Sequence, residues 1–144
     1  MKDMETDITK NTEISAVLPR GDRSDVLCGN YDSFDNLPDK AIVGTSSVRR
    51  AAFAKYHRPD LNIKLLRGNV ETRIEKLNAG LYDAIILSYA GVKYLKLEDK
   101  ISDIFSIEEI IPSAGQGIIA IQCRENDDEI ISILDKINDI ETFQ

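Results

Sequence analysis

From Ala41 to Leu97, short apolar runs alternate three times with stretches of helical period, and nothing else in the chain restricts its fold as tightly. Ala41-Ile42-Val43-Gly44 reads as a buried strand, and Leu61 to Leu66 and Asp83 to Leu87 read as strands. Ser46 to His57 reads as a helix stopped by Pro59. Val70 to Ala79 reads as a second, with Val70, Ile74 and Leu77 on one face and Gly80 as its cap. Ala90 to Leu97 reads as a third, shorter helix. Such alternation predicts parallel βαβ units with helices on both sides of a sheet. In open α/β sheets, ligands gather at the carboxyl ends of the strands, so the residues following Val43, Leu66 and Leu87 carry the interest.

The flanks are less regular. Glu13 to Leu18 reads as a strand ended by the turn Pro19-Arg20-Gly21-Asp22, and Asp25 to Cys28 as another short strand. Asn30 to Lys40 is rich in turn formers and reads as a linker or loop near a lobe boundary. Ile101 to Ile111 has no clear period. Ile118 to Gln122 reads as a strand buried on both faces. Asp127 to Ile140 reads as a helix with Ile130, Leu134 and Ile137 on one side and Asp127 and Asp128 at its positive end. A chain of 144 residues suffices for one domain or two small lobes. Its apolar runs fall far short of the roughly 18 residues that suggest a membrane span. No apolar signal region follows Met1-Lys2-Asp3-Met4-Glu5, so a cytoplasmic protein is expected. Cys28 and Cys123 lie far apart, without a CxxC or Cys/His cluster, so reduced thiols and no metal site are expected.

Charge singles out one region. The net charge is −7, yet residues 42–73 hold Arg49, Arg50, Lys55, Arg58, Lys64, Arg67 and Arg73 against only Asp60 and Glu71. A basic island in an acidic chain suggests a specific anionic ligand, whereas nucleic acid usually wants a basic domain. Val43-Gly44-Thr45-Ser46-Ser47-Val48-Arg49-Arg50 leaves a strand and enters a helix. Hydroxyls and N–H groups at that helix start suit an anion, and an anion would explain two arginines set against the helix dipole. A plain serine cap with solvated arginines fits the same residues. Leu66-Arg67-Gly68-Asn69-Val70-Glu71-Thr72-Arg73 repeats the arrangement after the next strand, and arginine forks match carboxylate or phosphate oxygens. Pro112-Ser113-Ala114-Gly115-Gln116-Gly117 is either a tight glycine turn or a hinge that brings Gln116 to a ligand. His57, the single histidine, reads as surface structure, which leaves no histidine-based triad.

Taken in order, Val43 to Arg50, Arg58-Pro59-Asp60-Leu61, Leu66 to Val70, Thr72-Arg73, Tyr82 to Leu87, Ala90-Gly91-Val92-Lys93 and Gly115-Gln116-Gly117 resemble the porphobilinogen deaminase (hydroxymethylbilane synthase) family of tetrapyrrole and haem biosynthesis. The resemblance implies a transferase that condenses four porphobilinogen units head to tail, releasing ammonia, on a covalently held dipyrromethane cofactor. It implies an α/β fold like that of type II periplasmic binding proteins. Residues 1–29 would be a segment of family domain 1, residues 30–111 domain 2, and residues 112–144 the return into domain 1. Thr45, Ser46, Ser47, Arg49, Arg50, Arg67, Gly68 and Arg73 would hold acetate and propionate groups of cofactor and substrate, assisted by Lys2, Lys100 and Gln116. Asp3, in Met1-Lys2-Asp3, would be the catalytic carboxylate, binding pyrrole N–H groups and offsetting the positive charge formed on deamination.

Several departures accompany the resemblance. The family enzyme is about twice as long, with three domains, and its first lysine and arginine ligands would precede Met1. Its cofactor-bearing cysteine belongs to the third domain, so neither Cys28 nor Cys123 is expected to inherit that role. Lys100 stands where an arginine is usual, and residues 139–144 leave the family pattern. A monomer, or a chain completed by a further segment, is expected, with little turnover by this polypeptide alone and neither nucleic acid nor membrane as partner. A second reading, a non-catalytic α/β module that binds small polycarboxylates, fits the same basic corners.

Overall fold

A computed structural model describes residue 4 and residues 7–143. In chain order the strands are β1 (Thr12–Val17), β2 (Asp25–Gly29), β3 (Ile42–Gly44), β4 (Asn62–Lys64), β5 (Ala84–Ser88), β6 (Ile101–Phe105) and β7 (Ala120–Arg124). The helices are α1 (Val48–His57), α2 (Val70–Asn78), α3 (Tyr89–Tyr94), α4 (Asp128–Leu134) and α5 (Ile140–Phe143). The chain forms two compact units: the first from its two ends, up to Asp22 and from Ser113 onward, the second from Arg23–Pro112.

The second unit is a five-stranded sheet in the order β4-β3-β5-β2-β6. β3 runs parallel to β4 and β5, as the alternating pattern predicts. β2 and β6 run antiparallel within it, so the sheet is mixed. Side chains of a strand alternate between faces, and here both faces are covered. Leu27, Val43, Ala84 and Ile86 pack with Ala54 of α1, Leu61 and Phe105 on one side. Val26, Cys28, Ile85 and Leu87 pack with Ile74 of α2 and Val92 of α3 on the other. Each leucine or isoleucine buried in this way contributes about 1.5–3 kcal/mol. β6 gives irregular residues 101–111 a structure that their pattern did not disclose. Phe34 and Leu37 are buried in the first cluster, so residues 30–40 are packed against this unit and do not behave as a linker. The first structural division falls at Asp22/Arg23, ahead of β2, because β2 lies between β5 and β6.

The first unit holds an antiparallel pair, β1 with β7, with a register irregularity between Ile14 and Ala16. Two expectations need correction here. β7 is not buried on both faces: Ile119 beside it is 50% exposed, and two strands alone have too little cover. The long helix expected over 127–140 ends at Leu134. Beyond it the bonds tighten, Lys136 N donating to Ile133 O and Ile137 N to Leu134 O at 3.3 and 3.0 Å. The segment then turns so that Asp139 N donates to Val17 O of β1 at 2.8 Å.

Candidate functional site

Two strand-to-helix corners of the second unit lie side by side. Past β3 and β4 the pairing continues, with Thr45 N donating to Lys64 O at 3.1 Å and Leu66 N to Thr45 O at 3.3 Å. In the first corner, Gly44 lies so close to Tyr82 that a Cβ there would meet the ring at 2.7 Å. Thr45 is buried, and its Oγ1 accepts a hydrogen bond from Ser47 N at 3.1 Å. Ser47 caps α1, its Oγ accepting from Arg50 N at 3.4 Å. Ser46 stays exposed between them.

In the second corner, Gly68 has φ +122°, a conformation open chiefly to glycine. Asn69 caps α2 by accepting from Thr72 N at 2.8 Å. Arg73 Nε donates to Gly68 O at 2.7 Å, and Lys76 Nζ donates to Arg67 O at 2.8 Å. These bonds brace the loop from behind. The Arg67 side chain is exposed and makes no ion pair among the described residues.

The structure also shows what the two arginines at the start of α1 are for locally. Asp25, at the start of β2, has a fully buried side chain. Arg49 Nη1 donates to its Oδ2 at 2.5 Å. Arg50 donates to Oδ1 from Nε and Nη2, at 3.1 and 2.8 Å, and its Nη1 donates to Ile86 O at 3.2 Å. The anion that justifies arginines at a helix start is therefore, in the first instance, one of the protein's own carboxylates. Burial pulls the pKa of Arg50 down, and Asp25 opposes that pull, while Arg73 of the other corner lies near enough to add repulsion. Arg49 keeps 25% of its side chain exposed, against 5% for Arg50.

Part of the basic island is structural in the same way. Lys55 Nζ donates to the carbonyls of Pro59 and Leu61. Arg58 binds Asp60 and the carbonyls of Asp35 and Leu37. Exposed cationic groups at the corners include Arg67, parts of Arg49 and Arg73, and Lys64 at the end of β4.

Of the residues singled out in sequence, Thr45, Ser46, Ser47, Arg49, Arg50, Arg67, Gly68 and Arg73 come together at this edge of one sheet. Lys100 does not. It immediately precedes β6, whose Ile101 pairs with Cys28, whereas Asp25 pairs with Phe105 at the far end of that strand. Lys100 contacts its neighbour Asp99 at 2.9 Å. Gln116 belongs to the first unit, where it is fully buried and its carbonyl accepts from Arg20 Nε at 3.1 Å. Lys2 and Asp3 lie outside the described residues. His57 packs against Phe53 with the rings tilted at 45° and centroids 4.5 Å apart, at the exposed end of α1. Asp25 is the residue that sequence reading missed. Its one signal is a carboxylate at the head of a short apolar strand, where an unpaired buried charge would be costly.

Comparisons with known proteins bear on the fold and the family. Among solved structures, the chain resembles a lipoprotein of Bacillus subtilis named for methionine binding, with TM-score 0.57, 14% identity, and coverage of 88% of this chain and 61% of that one. It also resembles an arginine-specific periplasmic binding protein of Salmonella typhimurium, with TM-score 0.50, 18% identity, and coverage of 87% and 57%. At such identities the likeness concerns fold alone, and that fold is α/β of the type II periplasmic-binding-protein kind. Porphobilinogen deaminase of Rickettsia typhi is 47% identical over 100% of this chain and 49% of its own length. Porphobilinogen deaminase of Buchnera aphidicola is 46% identical over 99% of this chain and 46% of its own length. The chain thus spans about half the length of these curated relatives. The family model described as porphobilinogen deaminase, dipyromethane cofactor binding domain, matches residues 1–132, and the chain belongs to the porphobilinogen deaminase family.

Proposed function

We propose that this chain supplies the carboxylate-binding lobe of a cytoplasmic porphobilinogen deaminase, the transferase that condenses four porphobilinogen molecules into hydroxymethylbilane with release of ammonia. The observation that carries the reading is the pair of adjacent corners, Thr45 to Arg50 and Arg67 to Arg73, which set hydroxyls, helix N-termini and arginines at one sheet edge. Each porphobilinogen brings an acetate and a propionate, and this donor set suits such groups. The dipyrromethane cofactor carries the same two kinds of carboxylate and fits the same donors. Ser46, Arg49, Arg67 and Arg73 would hold it, with Thr45, Ser47, Gly68 and Arg50 shaping the corners behind them. When bound, the cofactor supplies the pyrrole carbon to which the first substrate is joined. Asp3 would act as the catalytic carboxylate and Lys2 as a cation beside it, by the family motif alone. In this reading the second unit stands for family domain 2 and the first for part of domain 1. The chain acts as a monomer, or is completed by further polypeptide of the family.

The test is titration calorimetry of the folded chain with porphobilinogen. Arg67→Glu is expected to weaken binding by about tenfold or more, because it replaces a cation by a like charge at the ligand. Lys136→Glu makes the same charge change on an exposed residue of the first unit and is expected to bind as wild type does. Equal binding by wild type and Arg67→Glu removes the carboxylate site. Equal affinity for porphobilinogen and for a simple tricarboxylate such as citrate favours the polycarboxylate module instead.

A further inference from the structure

Asp25 stands apart from every motif that points to a ligand, yet it touches both arginines of the first corner. We propose that Asp25 is a positioning residue of the carboxylate site: it fixes the Arg49 guanidinium at the corner and holds Arg50 as a brace behind it. The proposal rests on reading the corners as the carboxylate site, and it adds to that reading a residue from a different strand.

The two oxygens of Asp25 are divided between the two arginines. Oδ1 takes both donors from Arg50, and Oδ2 takes one amino group of Arg49. Arg50 is further tied to the carbonyl of Ile86 in β5, so its guanidinium is held by two strands. Asp25 is itself held between two strands, its backbone paired with Ser88 on one side and Phe105 on the other. β2 runs antiparallel to β5, which is what brings the first residue of β2 to the edge where β5 ends. A rigid acid thus grips one end of Arg49, while a quarter of the Arg49 side chain remains exposed. An arginine held in place before its ligand arrives loses less side-chain freedom on binding. The same acid is negatively charged, and by Coulomb's law alone it repels an incoming carboxylate. Positioning and charge therefore act with opposite signs, and the sign of one measurement separates them.

The experiment compares wild type, Asp25→Asn and Asp25→Glu by thermal melting, by solvent exchange of the arginine side-chain N–H groups in ¹⁵N NMR, and by calorimetry with porphobilinogen. In wild type the Arg49 and Arg50 signals are expected to exchange slowly. In Asp25→Asn, Arg49 exchange is expected to become fast and porphobilinogen affinity to fall by about tenfold, although the site has lost a negative charge. Asp25→Glu keeps the charge but displaces the carboxylate, and it is expected to fall between the two. Affinity that is unchanged or tighter in folded Asp25→Asn overturns the positioning role. If Asp25→Asn does not melt cooperatively, Asp25→Glu decides: weaker binding supports the proposal, and wild-type affinity overturns it. If wild type binds no porphobilinogen, the functional reading falls. Arg49 exchange then still decides on Asp25, because slow exchange in the substituted protein overturns the fixing itself.

Discussion

At the scale of single residues, burial decides which polar groups remain available. The Cys28 thiol lies in the core of the second unit, and burial pushes its pKa up to about 12. An unfolded cysteine ionises near about 8.5, so above that pH the unfolded chain loses a proton that the folded chain keeps. This group therefore lowers stability progressively as pH rises past about 8.5, and contributes no pH dependence below it. With iodoacetamide at pH 8, the folded protein is expected to be labelled at Cys123 alone, and at both cysteines after denaturation, as read by intact mass and peptide mapping. Labelling of Cys28 at the rate of an unfolded thiol contradicts its burial. The corner hydroxyls and arginines were legible in the sequence because they form two local motifs, each within a few residues. Asp25 was not, because its contacts with Arg49 and Arg50 span 24 and 25 positions and depend on the antiparallel placement of β2.

At the scale of elements, β3 and β5 are easy to read because burial on both faces writes them as continuous apolar runs, whereas the edge strand β4 exposes Asn62 and Lys64 around Ile63. β6 is hidden by Ser102 and Asp103 in its middle, and Asp103 is there to accept from Phe34 N at 2.9 Å. The cap of α1 was legible as one of Thr45, Ser46 and Ser47, and it is Ser47 that accepts from Arg50 N; Asn69, expected only as a turn residue, also caps α2 by accepting from Thr72 N. Gly44 couples the corners in a way the sequence cannot display. It faces the ring of Tyr82, whose hydroxyl donates to Leu65 O at 2.8 Å, next to the second corner. Gly44→Ala is therefore expected to cost about 1–3 kcal/mol through overpacking. A lowered urea midpoint with an unchanged slope checks this; an unchanged midpoint means that Tyr82 swings away freely.

At the scale of the whole molecule, the two units differ in how much they bury. The second holds two packed clusters, one on each face of its sheet. In the first, Ala16 and Val17 are the buried apolar side chains among the described residues, and Ile133, Ile137 and Ile140 are about half exposed or more. Local opening is easiest where few apolar contacts resist it. Amide exchange is therefore expected to be faster in β1 and β7 than in β2, β3 and β5, by about tenfold or more. Uniform protection across both sets argues that the chain unfolds as one body.

The path of the chain has a further consequence, for heredity. Within the second unit, the first and last strands are neighbours, with Asp25 opposite Phe105. Within the first unit, the chain departs and returns at a closed seam, where Gly21 N donates to Gly117 O at 2.8 Å and a Cβ on Gly117 would collide with Gly21 O. The sheet-bearing unit is thus an insertion whose removal or duplication opens no strand pair on either side. Codons 23 to 112 encode one compact unit without interruption, set between the two stretches that encode the other.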